Sequence, residues 1–354
     1  MVRMGKSIAL FRWGGGIRGR VGKIQLSHTF EEIISLENLC LAWQEFVVGK
    51  KAKKDVQKFS RHLMDNIVSL HQDLANQFYQ HGGYVSFYIT DPKPRHIHKA
   101  SVRDRLLHHA LHRILYPFFS RVFISDSYSC RVDKGLHKAA NRFRQMANQV
   151  SQNNTKTCWI LKCDIRKFFP SIDHRVLFQI LQEYIPDKNI IWLLGQVIDS
   201  FSTAGNPAVG LPLGNLTSQL FANVYMNVFD QWVKHRLKAK YYVRYADDFV
   251  FLSRDKLWLE STIPQIRHFL SKKLKLTLHP NKIFLKTSAS GMDFLGWVSF
   301  PRHRVLRRVT KQRMFVKMKI RPSLETLQSY LGLLYHGNTE KTRQELLWQF
   351  WLWQ

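Results

Sequence analysis

Acidic residues and cysteines are scarce in this 354-residue chain. Asp and Glu number 25 against 54 Lys and Arg, which leaves a formal charge of +29 and a pI near 10.2. A chain this basic needs a polyanion as its partner. A membrane surface is the rival polyanion, but no uninterrupted apolar stretch is long enough to span a bilayer. The opening Ile8-Ala9-Leu10-Phe11 run is too short for the core of a signal peptide. Four cysteines, Cys40, Cys130, Cys158 and Cys163, have neither metal-ligand spacing nor a disulfide framework. That excludes a zinc module and a disulfide-stapled secreted domain, and they read as reduced core thiols of a cytoplasmic protein. The length suits two or three subdomains.

Charge and pattern divide the chain. Residues 1–24 carry Arg3, Lys6, Arg12, Arg18, Arg20 and Lys23 with no acid and six glycines. Such a segment cannot bury a core; it orders on RNA or is a terminus of no specific use. An amphipathic helix is expected over 29–46, with Thr29 and Glu32 as a capping box. A basic loop follows over 50–54, then a long helix over 55–81 ended by Gly82-Gly83. A strand over 84–90 leads to Lys93 and Arg95. Basic groups on such a hairpin can clamp a triphosphate, Arg bidentately and Lys as a point charge; the alternative is ordinary surface charge. Asp104 and Arg105 read as a structural ion pair. Helices are expected over 135–150, 189–201, 216–238 and 256–273, and a strand over 276–286.

Chemistry concentrates in two places. Tyr245-Ala246-Asp247-Asp248 lies between two aromatic, β-branched runs, so the acids fall at a hairpin turn. Two adjacent carboxylates repel unless a cation sits between them, and hard oxygen ligands suit Mg²⁺. The alternative is a polar turn, where Asp is common. A third acid, Asp164, ends the apolar run Trp159-Ile160-Leu161-Lys162-Cys163 and is followed by Phe168-Phe169. Nucleotidyl transfer by two metals needs carboxylates that bridge ions roughly 3.5–4 Å apart, and Asp164, Asp247 and Asp248 on separate strands of one sheet meet that need. Asp173, beyond Pro170, reads instead as the N-cap of a helix starting at His174.

These residues resemble a reverse transcriptase. Asp164 with Phe168-Phe169 and the Tyr245–Asp248 tetrapeptide look like its two catalytic motifs, with Gly210-Leu211-Pro212-Leu213-Gly214-Asn215 between them. His279-Pro280-Asn281-Lys282 and Phe294-Leu295-Gly296-Trp297 look like the last palm motifs; Lys93-Pro94-Arg95 and Val102-Arg103-Asp104-Arg105 look like those of the fingers. Order and spacing agree from about Tyr88 to Arg313. The resemblance implies an α+β, right-hand polymerase fold: a basic N-terminal segment at 1–28, helices and fingers at 29–158, an antiparallel palm at 159–300, and a short helical thumb with an aromatic C-terminal helix at 301–354. It implies RNA-directed DNA polymerase activity with two Mg²⁺ ions, Mn²⁺ able to substitute. Asp164, Ile165, Asp247 and Asp248 would hold the metals, and template RNA with a cDNA or primer strand would be the partner.

Further roles follow from the same resemblance. Lys93, Arg95, Phe169, Leu213, Gly214 and Lys282 would contact the incoming nucleotide, Phe169 as a gate against a 2′-hydroxyl and Lys282 as proton donor to the leaving pyrophosphate. Only one of Phe168 and Phe169 can face the site. Arg304, Arg307, Arg308, Lys311 and Arg313 would lie on a thumb helix along the template–primer duplex. The Pro212-Leu213-Gly214 run, with leucine where relatives carry glutamine, looks like the reverse transcriptases of diversity-generating retroelements. That implies error-prone copying, concentrated at template adenines, and a small oligomeric accessory protein. A physical argument agrees on fidelity: a glutamine amide can hydrogen-bond near the nascent pair and Leu213 cannot, and apolar contacts discriminate by only about 1–3 kcal/mol. The alternatives are that Leu213 only packs, that the enzyme is another bacterial reverse transcriptase, intron-like or defence-associated, or that the protein binds RNA without catalysis.

Overall fold

The structure, a computed structural model, describes residues 24–90, 94–203 and 205–353. The basic glycine-rich start and Lys93 therefore lie outside the described residues. The helix expected over 29–46 is two helices, α1 (Phe30–Ile34) and α2 (Leu36–Val47). Ser35 leaves helical geometry at ψ 144°, and its hydroxyl accepts from the Asn38 amide, which caps a new start. Thr29 caps α1 through the Glu32 amide, but the Glu32 carboxylate turns to His28, so only half of the capping box forms. The long helix expected over 55–81 is likewise two, α3 (Lys54–Ser60) and α4 (Leu63–Ala75). It stops early because Gln77 takes φ +56° and the Phe78 and Tyr79 amides fold back onto the Asp73 carbonyl.

A hairpin follows, β1 (Tyr84–Ile89) against β2 (Arg95–Ala100), and then α5 (Val102–Val122), capped by Ser101. Asp104 and Arg105 do not pair with each other. Asp104 accepts from Ser101, Tyr79 and the Gly82 amide, whereas Arg105 reaches Asp55 at 2.6 Å. Next come α6 (Leu136–Val150), β3 (Trp159–Asp164), α7 (His174–Gln182), α8 (Lys188–Ile198), α9 (Leu216–His235), β4 (Tyr242–Tyr245), β5 (Asp248–Ser253) and α10 (Lys256–Leu274). Asp173 caps α7 through the Val176 amide, as expected. The strand expected over 276–286 shrinks to β6 (Phe284–Thr287). Leu278 makes an isolated bridge to Ile165, and a turn at 279–282 containing Pro280 breaks the run. Three short strands, β7 (Met292–Phe294), β8 (Trp297–Ser299) and β9 (Arg304–Leu306), precede α11 (Arg308–Ile320), α12 (Leu324–Leu334) and α13 (Glu340–Trp353). Because β9 pairs with β8, a boundary drawn at residue 300 cuts through this sheet.

The result is a mixed α+β architecture with antiparallel sheets. The central sheet has the order β4-β5-β3-β6 and is covered on both faces. Leu161, Cys163, Phe249 and Phe251 alternate onto the face shared with α5 and α7–α10. Ile160, Val250 and Leu252 alternate onto the other, against Phe143 and Met146 of α6 and Phe294 of β7. Helices α11–α13 form a separate cluster around Met314, Met318, Leu334, Leu346 and Phe350. All four cysteines are free; Cys158 and Cys163 are core residues as expected, while Cys130 is exposed. No helix among the described residues is long and apolar enough to cross a membrane.

Candidate active site

The turn that carries the paired acids is fixed from inside the protein. Arg244 of β4 is fully buried and donates to both Asp230 oxygens of α9, at 2.7–3.0 Å, and to the Ser127 hydroxyl at 3.1 Å. Its Nη1 donates to the Ala246 carbonyl at 3.0 Å, inside the turn itself. Tyr242 donates its hydroxyl to the same Asp230 at 2.7 Å. The Arg244 amide donates to the Asp126 carbonyl and its carbonyl accepts from the Tyr128 amide, so the 126–128 loop runs beside β4. Ala246 takes φ +54° at the tip.

On this base the three acids converge. Asp164, the last residue of β3, lies directly opposite Asp248, the first of β5. Cβ atoms of such a pair are about 4.5–5.5 Å apart, and like charges there are destabilising. Asp247 sits one step back in the turn, and its carbonyl accepts from the Ile165 amide at 3.3 Å. Burial first, then the charges of Asp164 and Asp248, push the Asp247 carboxyl up to about 6. Asp248 is raised too, by burial above all, with Lys162 opposing. Two ammonium groups attend the acids. Lys282, on the 279–282 turn, donates to both Asp164 oxygens at 3.0 and 3.1 Å. Lys162 lies 3.5 Å from Asp248 Oδ1, a buried oxygen that accepts no hydrogen bond. At that length the contact is an ion pair without hydrogen-bond geometry.

These features fit divalent cations. Repelling, desolvated carboxylates are what an oxygen-seeking ion satisfies. The side chains are not closed into a cage: among the described residues no three His, Cys, Asp or Glu stand close enough together to hold an ion as they are. Ile165 is buried and its amide is taken by the Asp247 carbonyl, so its own carbonyl is the group it could offer a metal.

The surroundings follow from local geometry. Phe168 is buried and Phe169 half-exposed. Strand alternation is not the reason, because β3 ends at Asp164; Lys167 at φ +46° and a 3₁₀ turn over Phe169–Ser171 set the two rings edge to face, their centroids 5.4 Å apart. The 209–215 loop lies against this turn, with the Leu211 amide donating to the Phe169 carbonyl and the Gly210 amide to that of Ile172. Leu213 is tied to the β1–β2 hairpin: its carbonyl accepts from the His98 amide at 2.9 Å, and Asn215 Nδ2 donates to the His98 carbonyl. Gly214 adopts φ +108°, and any Cβ there would stand 2.8 Å from Ile97 Cγ2, so both conformation and closeness demand glycine. Arg95 is exposed at the start of β2, close enough for its charge to act on the Tyr245 hydroxyl.

Comparison with known proteins decides the family. The family described as "Reverse transcriptase (RNA-dependent DNA polymerase)" matches residues 90–299, more than half of the chain and all three carboxylates. The chain belongs to the reverse transcriptase family. It is 25% identical over 248 residues to Protein YkfC of Escherichia coli K12, covering 59% of this chain and 62% of that one. It is 24% identical over 267 residues to the group II intron-encoded protein LtrA of Lactococcus lactis subsp. cremoris, covering 55% and 42%. It is 27% identical over 155 residues to a putative COX1/OXI3 intron 1 protein of Saccharomyces cerevisiae, covering 41% and 18%. The chain thus spans less than two thirds of each of these relatives.

In this member of the family the basic residues after 300 do not form one surface. Arg304 is buried in β9, not on a helix; its guanidinium donates to the His336 carbonyl and Asn141 and lies over the Trp297 ring. It is an internal tie between α6, β8 and the segment before α13, not the nucleic-acid contact expected on a thumb helix. Arg307 pairs with Asp293, and Lys311 with Glu345 at 2.9 Å. Arg308 is exposed and Arg313 half-exposed on α11, with Lys317 one turn further.

Two expectations follow. Neutralising exposed Arg308 flattens the slope of log affinity for RNA against log salt, by about 0.7–0.9 for the phosphate that it neutralises. Arg304→Gln instead lowers the melting temperature and leaves that slope near its original value; the reverse pattern would place the nucleic acid on Arg304. The second concerns pH. With divalent ions chelated, folded Asp247 still binds its proton between about pH 4 and pH 6, where the unfolded chain has released it, so stability falls as pH rises through that window. Asp247→Asn removes this slope and stabilises the chelated protein near pH 7 by about 1–3 kcal/mol. Urea titrations at about pH 4 and pH 7 measure it, and an Asn variant less stable near pH 7 contradicts the electrostatic account.

Proposed function

We propose that the chain is an RNA-directed DNA polymerase that extends a primer 3′-hydroxyl on an RNA template. The observation that carries this reading is the direct opposition of Asp164 and Asp248 across β3 and β5 with Asp247 in the adjoining turn. Those carboxylates and the Ile165 main chain would hold two divalent ions, Mg²⁺ by donor type, which supply the charge that acidifies the 3′-hydroxyl and stabilises the pyrophosphate. Arg95, with Lys93 beside it in sequence, binds the triphosphate from the β1–β2 hairpin. Phe169 closes off the sugar 2′ position, Leu213 and Gly214 face the nascent pair, and Lys282 hands a proton to the leaving group. The β1–β2 hairpin and α5 serve as fingers, the sheet of β3–β6 as palm, and α11–α13 as thumb.

Asp164→Asn and Asp247→Asn are expected to lower primer extension by more than about 10³-fold, equivalent to several kcal/mol of metal-borne stabilisation. RNA binding in filter assays should survive in both. Extension at the parent rate by either variant removes the assignment.

The intron-encoded relatives favour a group II intron-like enzyme. Leu213 favours the narrower reading, an error-prone enzyme of a diversity-generating retroelement working with a small accessory protein. The exposed Trp348 and Trp351 of α13 offer that protein an apolar contact. Leu213→Gln is a clean test, because His98 holds the main chain at 213 whatever the side chain. If leucine loosens control of the nascent pair, glutamine lowers misincorporation, most at template adenine. One hydrogen bond, about 0.5–1.5 kcal/mol, corresponds to roughly threefold to tenfold. Sequenced cDNA from both proteins on one template gives the comparison; equal adenine error at similar yield assigns Leu213 to packing.

A further inference from the structure

We infer that Lys162 is a positioning residue for the polymerase reaction, an internal ammonium that joins catalytic Asp248 to the β7–β8 hairpin and so to the start of α11. The inference rests on the polymerase reading above. Lys162 is buried in the middle of β3, two residues before Asp164 and therefore on the same face of the strand. Its ammonium lies over the Phe294 ring, 6.0 Å from the centroid. Nζ donates to the Asp293 carbonyl at 2.9 Å and stands 3.5 Å from Asp248 Oδ1. That oxygen is buried and accepts no hydrogen bond, so the ammonium is the positive charge that faces it.

The chain of contacts continues. The Asp293 side chain accepts from the Arg307 guanidinium, and the Arg307 amide donates to the Gly296 carbonyl at the tip of the same hairpin. Arg307 is the residue that precedes α11. A single line thus runs from the Asp248 carboxylate through Lys162 and Asp293 to the helices that follow. A buried ammonium is costly unless it is paired, and an apolar side chain would fill this place without that cost. What the lysine adds is a fixed carboxylate. Asp164 across the sheet repels Asp248, and a charge held to the Asp293 carbonyl keeps one Asp248 oxygen in place, leaving the other to serve the reaction. Small displacements of a reacting group cost about 10²-fold in rate.

Two substitutions separate charge from packing. Lys162→Gln keeps an N–H for the Asp293 carbonyl and removes the charge; Lys162→Arg keeps both. The expected result for Lys162→Gln is kcat lower by about tenfold or more, with the Kd for primer–template RNA within about threefold of the parent and a similar melting temperature. Lys162→Arg should recover kcat to within about threefold. A third measurement needs neither metal nor substrate: in the chelated protein, Lys162→Met should speed hydrogen exchange at the amides of 292–299. The assignment is overturned by a Lys162→Gln kcat within about threefold of the parent, by an Arg variant no better than Gln, or by unchanged exchange in Lys162→Met. A Lys162→Gln chain that does not fold overturns it as well, since the residue would then hold the fold and not the carboxylate. If the parent itself makes no cDNA, the polymerase reading falls and this role with it, whereas a silent Lys162→Gln in an active parent removes the role alone.

Discussion

The buried pair of Arg244 and Asp230 is the interaction on which the acidic end of the sheet depends. It binds β4 to α9, draws in Tyr242 and Ser127, and reaches the Ala246 carbonyl inside the acidic turn. The guanidinium thereby ties together three parts of the chain, α9, the 126–128 loop and the turn itself. Removing one partner of such a pair leaves an uncompensated buried charge, at about 3–5 kcal/mol. The site needs that rigidity because its own charges oppose it. Asp164 and Asp248 face each other and Asp247 lies behind them, a set that would relax apart if the turn were free. The fold tolerates the repulsion because the restoring forces are internal and away from solvent.

Much of this is legible in the sequence, and what is not has identifiable causes. The hairpin around Asp247, the strand before Asp164 and the cap at Asp173 all follow from apolar runs, turn chemistry and local hydrogen bonds within a few residues. The breaks at Ser35 and Gln77 escape a sequence reading because each is decided by one backbone angle inside a stretch with helical periodicity. Arg244 does leave a signal: it interrupts Tyr242-Val243-Arg244-Tyr245, a charge on a strand bound for the core. Lys162 leaves the same signal in Trp159–Asp164. A charged residue at an inward strand position points to a buried partner, but not to which one: Asp230 is 14 residues away, and the Asp293 carbonyl 131. The tie between His98 and Leu213 lies beyond reach for the same reason, since it joins segments 115 residues apart through main-chain atoms that any residue carries.

Charge shows how composition and structure divide the work. A formal +29 points to a polyanion, but position decides which cations meet it. Arg244, Arg304 and Lys162 are interior residues that hold elements together. Arg307 and Lys311 are engaged by Asp293 and Glu345. Arg308 is open to solvent on α11, and Arg95 on β2. The density of Arg and Lys after residue 300 suggests one continuous contact surface; β9 divides it, turning Arg304 inward before α11 begins.

The two lysines at the carboxylates look alike and behave oppositely, and the difference lies in their anchors. Lys162 is buried, with the Asp293 carbonyl and Asp248 on either side of its ammonium, so moving it would strip a charge of its partners in a dry interior. Lys282 stands on a turn with its side chain 42% exposed, and the contacts it makes with Asp164 are ones that water can replace. It occupies both oxygens of Asp164, so a cation bound there would compete with it for one place. On the polymerase reading proposed above, the ion pair and the donor role of Lys282 would be two positions of one side chain. The same move is closed to Lys162, whose fixed charge belongs to the frame of the site and not to its chemistry.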